Sequence, residues 1–552
     1  MKVNQIGNYP KTNNTKNNSQ NPAFKSHAVT EFMDSLVVKP IWGATLVDVG
    51  STGTPRTIID TKHKGISGGA ETAIREYSSA GNDACIGLYG LLAGTMLAKM
   101  VTKPFGVKDP QRIFASNESL DIHADKWKKN LNNEDGYIRD FIDNISGYNP
   151  NDAKADVNGF VKIGEEHKQG MFEDMKSLVS GKLSKKETKV VRERLAARIL
   201  EATGSDTDVV VSEGGKKLQT SVSTLIDDFH RVTKVLKENK KPNAVEGLIN
   251  RVKSFSKSRA LLGLGLAMGV GASVQPINNL LTKKRTGIDG FAGMEGREKD
   301  NSFGFKVRKC VNTAGMAGIA MASLKAKPSQ VLEKVMFKGI IPTIDQFKAL
   351  YAITICSRML ASRDRDELGE STRKDVLGFV NWLIVGNLVN KGVVMAMEDK
   401  NNPIIRYNKE ATKDGFIYKH FGEKADRFIH GNISSRKEIL TEAMKKEGKS
   451  IIKADGKAMK VGEMMDAVAK SNKAVKKNLK IFMVGQVANY LYSGLVLGAG
   501  IPLMNVAITN KKVRERNAQK LQNISGEKNH NFVFTSSNYE NLTSFKGAAQ
   551  NK

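Results

Sequence analysis

The chain is 552 residues long and carries 86 Lys and Arg against 57 Asp and Glu, a formal net charge of +29. That length exceeds one compact core and predicts two to four domains of ~100 to 200 residues each. A mean hydropathy of −0.35 excludes an all-membrane bundle, and three cysteines, Cys85, Cys310 and Cys356, exclude a disulfide framework and suit small core residues in a reducing compartment.

Residues 1–30 are rich in Asn, Lys, Ser and Thr and lack the apolar run of a cleavable secretory signal, so they are expected to form a disordered polar tail. Residues 31–108 form a first apolar-helix region built on the block Ala84–Ala98. Within it, Asp48-Val49-Gly50-Ser51-Thr52-Gly53-Thr54 follows a strand-like run, Ala44–Val47. Such a turn is similar to the phosphate loops of actin and Hsp70-like ATPases; the second acidic loop those folds need is missing, so an ordinary turn is expected.

Residues 109–258 are expected to be a soluble helical region. Lys154 to Glu165 resembles a calcium-binding EF-hand loop, with Asp156, Asn158, Gly159, Val161 and Glu165 at positions 3, 5, 6, 8 and 12. Lys154 stands at position 1, where the loop needs a carboxylate, so a plain turn before a helix is the simpler expectation. Ser184 and Glu187 make a capping box ahead of a helix with Val191, Leu195, Ile199 and Ala202 on one face and Gly204 closing it. A hairpin is predicted at Val209–Gln219 around Gly214-Gly215, then an amphipathic helix through Val222, Leu225, Ile226, Phe229, Val232 and Leu236. Gly214-Gly215-Lys216-Lys217 lacks the upstream Gly and downstream Ser/Thr of a P-loop, and the eight scattered histidines offer no zinc spacing.

Residues 259–399 are read as Gly-rich hydrophobic helices. Ala260–Thr282 has bilayer-spanning length, Cys310–Leu324 falls short, Asp345 and Lys348 interrupt Ile340–Leu360, and Val376–Met397 spans only if Lys391 snorkels. Asp364 to Asp375 is a poorer EF-hand match and is expected to be a charged loop. Residues 400–477 form a basic soluble insertion with a hairpin predicted around Asp455-Gly456. Residues 478–512 hold the transmembrane helix, with Ile481 to Asn510 free of charge between Lys480 and Lys511-Lys512, and 513–552 are expected to be a disordered basic tail.

Small residues recur at four-residue spacing: Gly90 and Gly94; Gly265 and Gly269; Ala314, Gly318 and Ala322; Gly494 and Gly498. That spacing predicts smooth faces for close helix packing in lipid. The two longest blocks share a Gly-rich half, a helix-breaking proline (Pro276, Pro502), an Asn three residues later, then Thr and paired Lys. Basic residues at the block ends, Arg259, Lys283, Lys284, Lys480, Lys511 and Lys512, are placed to meet anionic headgroups. They flank both ends alike, so they do not orient the chain.

The sequence thus predicts a mainly α, multi-helix membrane-embedded protein with helical soluble insertions, here expected to be cytoplasmic, and minor β-hairpins. No catalytic or cofactor signature is found. The expected role is structural, scaffolding or membrane-shaping, with anionic lipid as partner and homo-oligomerisation open. A transporter or channel is the first alternative, which asks Gln275, Asn278, Asn279, Asn489 and Asn505 to converge on a cavity; a basic nucleic-acid-binding protein is the second.

Overall fold

In a computed structural model the described residues are Gly43, 45–100, 113–131, 133–237, 242–287, Asp289, 299–324, 330–339, 342–399, 402–469 and 472–527. The expected N-terminal tail, with its aromatic peptide at Phe24, and the stretch 528–552 around Phe545 lie outside them. The described chain is mainly helical.

Of the strand-like run and turn expected at 44–54, residues 45–54 are instead helical: a π-helical turn, Val47–Gly53, feeds α1 (Thr54–Ala84). Helix α1 is itself a hairpin. Gly65 sits at φ +71°, ψ 179°, a left-handed conformation that L side chains rarely adopt, and reverses the chain there. The two arms then pair antiparallel, Arg56 with Glu76 and Asp60 with Thr72, and a Cβ on Gly69 would overlap the Thr61 hydroxyl. After a turn at Cys85 the second arm continues as α2 (Ile86–Met100).

The region expected to be a soluble body follows. Helices α3 (Asn117–Lys129) and α4 (Glu134–Asp143), strands β1 (Ile145–Tyr148) and β2 (Phe160–Lys162), helices α5 (Glu165–Val179) and α6 (Lys185–Thr203), strands β3 (Val209–Glu213) and β4 (Lys216–Thr220) and helix α7 (Val222–Lys237) enclose one core. The predicted capping box, the left-handed Gly204 cap and the Gly214-Gly215 hairpin are all present. The hairpin belongs to an antiparallel sheet in the order β2-β1-β3-β4, with Ile145 opposite Val211 and Val211 opposite Leu218. In the core Tyr137 stacks on Phe229, and Phe141 packs tilted against both.

Helix α8 (Pro242–Thr286) is about 68 Å long at 1.5 Å per residue. Its first turns bury Val245, Leu248 and Val252 in the soluble core, whereas Ala260, Leu264 and Ala267 lie in a second core, so the transition near 258 runs through one rigid helix. Helices α9 (Phe303–Ser323), α10 (Ile344–Ala361), α11 (Arg365–Val380) and α12 (Gly386–Met397) build the rest of this bundle, α11 and α12 being joined by a π-helical stretch, Asn381–Val385. Asp364 therefore caps a helix rather than opening a charged loop. Lys391 donates to the Phe428 and Ile429 carbonyls, which fixes it sideways instead of letting it reach a membrane surface.

The second insertion contains β5 (Ile405–Arg406), α13 (Phe416–His430), β6 (Asn432–Ile433) and α14 (Arg436–Lys446). The hairpin expected at Asp455-Gly456 shrinks to one bridge, Ile452 with Ala458. This insertion docks on the first soluble body through Arg406, which donates to the Tyr148 and Gly204 carbonyls, and Glu438, which accepts from the Asp206 amide. Helix α15 (Lys473–Tyr492), a π-helical stretch Ser493–Gly500 and α16 (Ile501–Glu527) then return to the bundle. Residues 513–527, expected as tail, are helical because α16 continues past the bundle and Arg516 pairs with Asp366.

Residue pairs fix the helix directions. The second arm runs antiparallel to α8 (Asn82 with Ala267, Glu71 with Asn278, Ser67 with Arg285), and α11–α12 antiparallel to α15–α16 (Asn381 with Tyr492, Arg373 with Asn505). One crossing is reciprocal. A Cβ on Gly386 would fall 2.6 Å from Asn489 Oδ1, and one on Gly485 would overlap Asn390 Oδ1. Both long apolar helices thus leave the soluble bodies and reach the same far end, beside the tip of the α1 hairpin.

A charged hairpin inside the helix bundle as candidate functional site

In the second arm Thr72, Glu76, Ser79 and Asp83 recur at three- and four-residue spacing, which places them on one helix face. All four are buried. The partners come from the first arm and from α10 and α11. Near the tip, Lys64 Nζ lies 2.5 Å from Glu370 and 3.3 Å from Asp60, and the Thr72 hydroxyl donates to Asp60 at 2.5 Å. Arg363 comes next, 2.7 Å from Glu71 and 3.0 Å from Glu367. Farther in, Glu76 accepts from Arg56 at 3.1 Å and from Arg75 and Lys374 at 3.2 Å. Arg358 follows, 3.2 Å from Asp375.

Nine acids (Asp60, Glu71, Glu76, Asp83, Asp364, Asp366, Glu367, Glu370, Asp375) and five bases (Arg56, Arg75, Arg358, Arg363, Lys374) of this region are buried, and the nearly buried Lys64 is a sixth base. Buried ions must be paired to persist, and removing one partner costs ~3–5 kcal/mol. The interior therefore holds an acid surplus within a strongly basic chain. At the tip end a cleft of about 410 Å³ is lined by Asp364, Asp366, Arg308, Arg365, Lys512 and Arg516, among others. It adjoins the first charged pairs through the opening turn of α11. At the opposite end the charged cluster stops against apolar packing, where a Cβ on Gly90 would lie 2.6 Å from the Phe337 ring and one on Gly263 3.0 Å from Gly90 Cα.

The outside of the bundle has the reverse character. Leu88, Leu261, Val311, Ile277, Leu491 and Leu495 are exposed on it. Two helices, Val245–Thr286 and Lys473–Gln519, are long and apolar enough to cross a membrane, and only 33% and 39% of their most apolar windows are buried. Val376–Met397 is not among them.

The residues singled out in sequence fall in different places. Gly90 and Gly498 make close contacts, the latter against Ser51 and Pro55; Gly494 lies 4.0 Å from Ser51 at its Cβ position, and Gly94 is buried. Gly265, Gly269 and Gly318 face open space, and the tight contacts of α8 run through Gly263 and Gly271 instead. Helix α8 continues through Pro276 without a break, whereas Pro502 opens α16 directly after the π-helical stretch. Arg259 is 0% exposed and cannot meet a headgroup: it donates to the Ile113 carbonyl at 2.6 Å and lies over the Phe114 ring, joining bundle to soluble body. Lys283, Lys284, Lys480, Lys511 and Lys512 are exposed, the first two in the last turn of α8 and the others within α15 and α16, with Lys283 paired with Asp289 and Lys512 4.0 Å from Asp366.

The polar residues of the two long helices do not share one cavity. Asn278 donates to the Glu71 carbonyl and Asn505 accepts from Arg373, so both brace the charged region; Asn279 donates to the Ala361 carbonyl, Gln275 to Asn279, and Asn489 sits at the Gly386 crossing. In the EF-hand-like loop, Asp156 accepts the backbone amides of Asn158 and Phe160, and Glu165 pairs with Lys168, so a turn before a helix is formed. No group of three potential ligands suited to a metal ion occurs among the described residues. Cys85 and Cys356 are half-buried and Cys310 is exposed, not in a core. No protein-family model, curated protein or solved structure matches the chain.

Proposed function

We propose that the bundle is embedded in a membrane and that its charged hairpin forms a polar path for a small ion or charged solute, which places the protein in the transporter or channel class. One observation carries this reading: a cluster of ionisable groups is buried inside the bundle beside its apolar core, while large apolar side chains are exposed on the outside. The second arm of the hairpin, 66–84, is ~28 Å long at 1.5 Å per residue, close to the ~30 Å of a bilayer core. Ionisable groups held at such depth are costly and mark ion or proton pathways. Exposed Phe416 and Phe421 on α13, a helix that touches α12 near its soluble end, suit a headgroup boundary, as do Lys283, Lys284 and Lys511 at the far end for anionic lipid.

A scaffolding role remains the second reading, favoured by the reciprocal Gly–Asn crossing of α12 and α15, which locks helices together. It gives the acid-rich interior no use. The test begins with carbonate extraction of membranes from expressing cells, then ion currents across planar bilayers containing the purified protein. Retention in the pellet together with currents reduced in Glu76→Gln supports conduction or transport. Extraction into the supernatant removes the membrane reading, and retention without current or flux leaves the scaffold.

A further inference from the structure

We propose that Ser79 and Asp83 form a binding site for a monovalent alkali cation, with sodium as the probe, at the inner end of the charged cluster. Asp83 is 0% exposed, and neither of its carboxylate oxygens has a hydrogen-bond partner among the described residues; the buried Ser79 hydroxyl has none either. The two residues are four apart on one helix, so three unpartnered oxygens face the same way within one turn. A buried carboxylate without partners is costly, and it is relieved either by a proton or by a counter-ion.

Both Nη atoms of the neighbouring Arg358 are committed, one to Asp375 at 3.2 Å and one to the Arg75 carbonyl at 3.5 Å, and its Nε makes no hydrogen bond to Asp83. Asn82 donates to the Ala267 carbonyl at 3.1 Å, and its amide oxygen accepts from Tyr89 at 2.9 Å. Asp48, on the π-helical turn that begins the first arm, acts on Asp83 as a like charge and Arg358 as an opposite one, without a hydrogen bond from Arg358 to either carboxylate oxygen. A cation would supply the contacts these oxygens lack, and the donors are all oxygen, the set preferred by hard cations. One fully buried carboxylate and one hydroxyl fall well short of the six to eight oxygens and several carboxylates of a calcium site. Packing of Gly90, Gly263 and Phe337 bounds the cluster beyond, so the cation is held rather than passed through. This deepens the transport reading by naming a bound coupling ion.

The test uses the detergent-purified full chain, melted in sodium chloride and in choline chloride at equal ionic strength. The wild-type midpoint is expected to rise saturably with sodium, the response to vanish in Asp83→Asn, and Ser79→Ala to need at least tenfold more sodium. Asp83→Asn, nearly isosteric and uncharged, is expected to melt in choline at or above the wild-type temperature, which separates lost binding from lost folding. Equal wild-type midpoints in the two salts, a sodium response retained in Asp83→Asn, or a response to calcium but not sodium would each overturn the proposal. Because binding is measured without a membrane, a sodium response without flux overturns only the transport reading, and flux without a sodium response overturns only this site.

Discussion

Two alanine substitutions two residues apart on α8 are expected to act in opposite directions. A Cβ on Gly263 would lie 2.9 Å from Phe337 Cε2, 3.0 Å from Gly90 Cα and 3.2 Å from Gly90 N. Ordinary carbon contacts are ~3.5–4.0 Å, and the Gly90 atoms are backbone that no rotamer change moves aside. Helices α2 and α8 must therefore part by roughly 0.5–1 Å, an overpacking that costs ~1–3 kcal/mol. Gly265 has nothing within 4 Å of its Cβ position and is exposed, so Gly265→Ala gains ~1 kcal/mol of helix propensity. The two variants are expected to differ by roughly 2–4 kcal/mol, with Gly90→Ala ranking beside Gly263→Ala. Thermal midpoints of the purified variants in one detergent give the ranking directly. Equal destabilisation by both alanines would mean that α8 packs through the Gly265/Gly269 stripe, for instance between copies of the chain, and would refute the helix contact described above.

The soluble body carries two buried groups with opposed pH behaviour. Burial depresses the His123 imidazole from 6.5 to about 3 and raises the Asp228 carboxyl from 3.8 to about 7. The unfolded chain takes up the histidine proton below 6.5 while the folded one does not, so His123 costs stability as pH falls from 6.5 to about 3; the folded chain keeps the Asp228 proton while the unfolded one releases it, so Asp228 costs stability as pH rises from 3.8 to about 7. Urea midpoints between those limits are expected to climb with pH in Asp228→Asn and fall in His123→Phe, and parallel profiles would refute this assignment. Glu438 accepts the Ser435 and Asp206 amides at 2.8 Å and lies 3.2 Å from buried Arg406. Glu438→Ala is expected to cost ~3–5 kcal/mol and to speed proteolysis within 402–469; unchanged cleavage would show that the two insertions are joined elsewhere. Cys310, exposed on the outer side of α9, is expected in intact membranes to react with a lipophilic maleimide and not with a charged one, and labelling by the charged reagent would place that side of α9 in water.

Local rules were enough for some elements between 184 and 220, while the hairpin expected at Asp455-Gly456 shrank to one bridge. Ser184, Glu187 and Gly204 bound a helix by their own hydrogen bonds, and Gly214-Gly215 reverses a strand, so each feature is set within a few residues. The charged hairpin was not legible this way. Helix α1 has no apolar periodicity, and its burial is decided by distant partners: Arg363 for Glu71, Lys374 for Glu76, Glu370 for Lys64 and the Leu497 carbonyl for Arg56. One signal was present. Arg56, Asp60 and Lys64 before Gly65, then Gly68, Gly69, Thr72, Glu76, Ser79 and Asp83 after it, form two polar stripes at helical spacing around a glycine turn.

The same limit explains the glycines and the charge. Four-residue spacing identifies a smooth face without saying what covers it, and on α8 the covered face passes through Gly263, two residues from the stripe that spacing selects. The net charge of +29 drew attention to the helix ends, yet the bundle interior runs the other way, with nine buried acids against six bases. Net charge is dominated by exposed residues and so describes what the surface attracts. What the interior holds depends on which acids lack partners, and that is decided by tertiary packing: Glu76 and Asp83 lie seven residues apart on the same face of one helix, and only Glu76 is met by three cations.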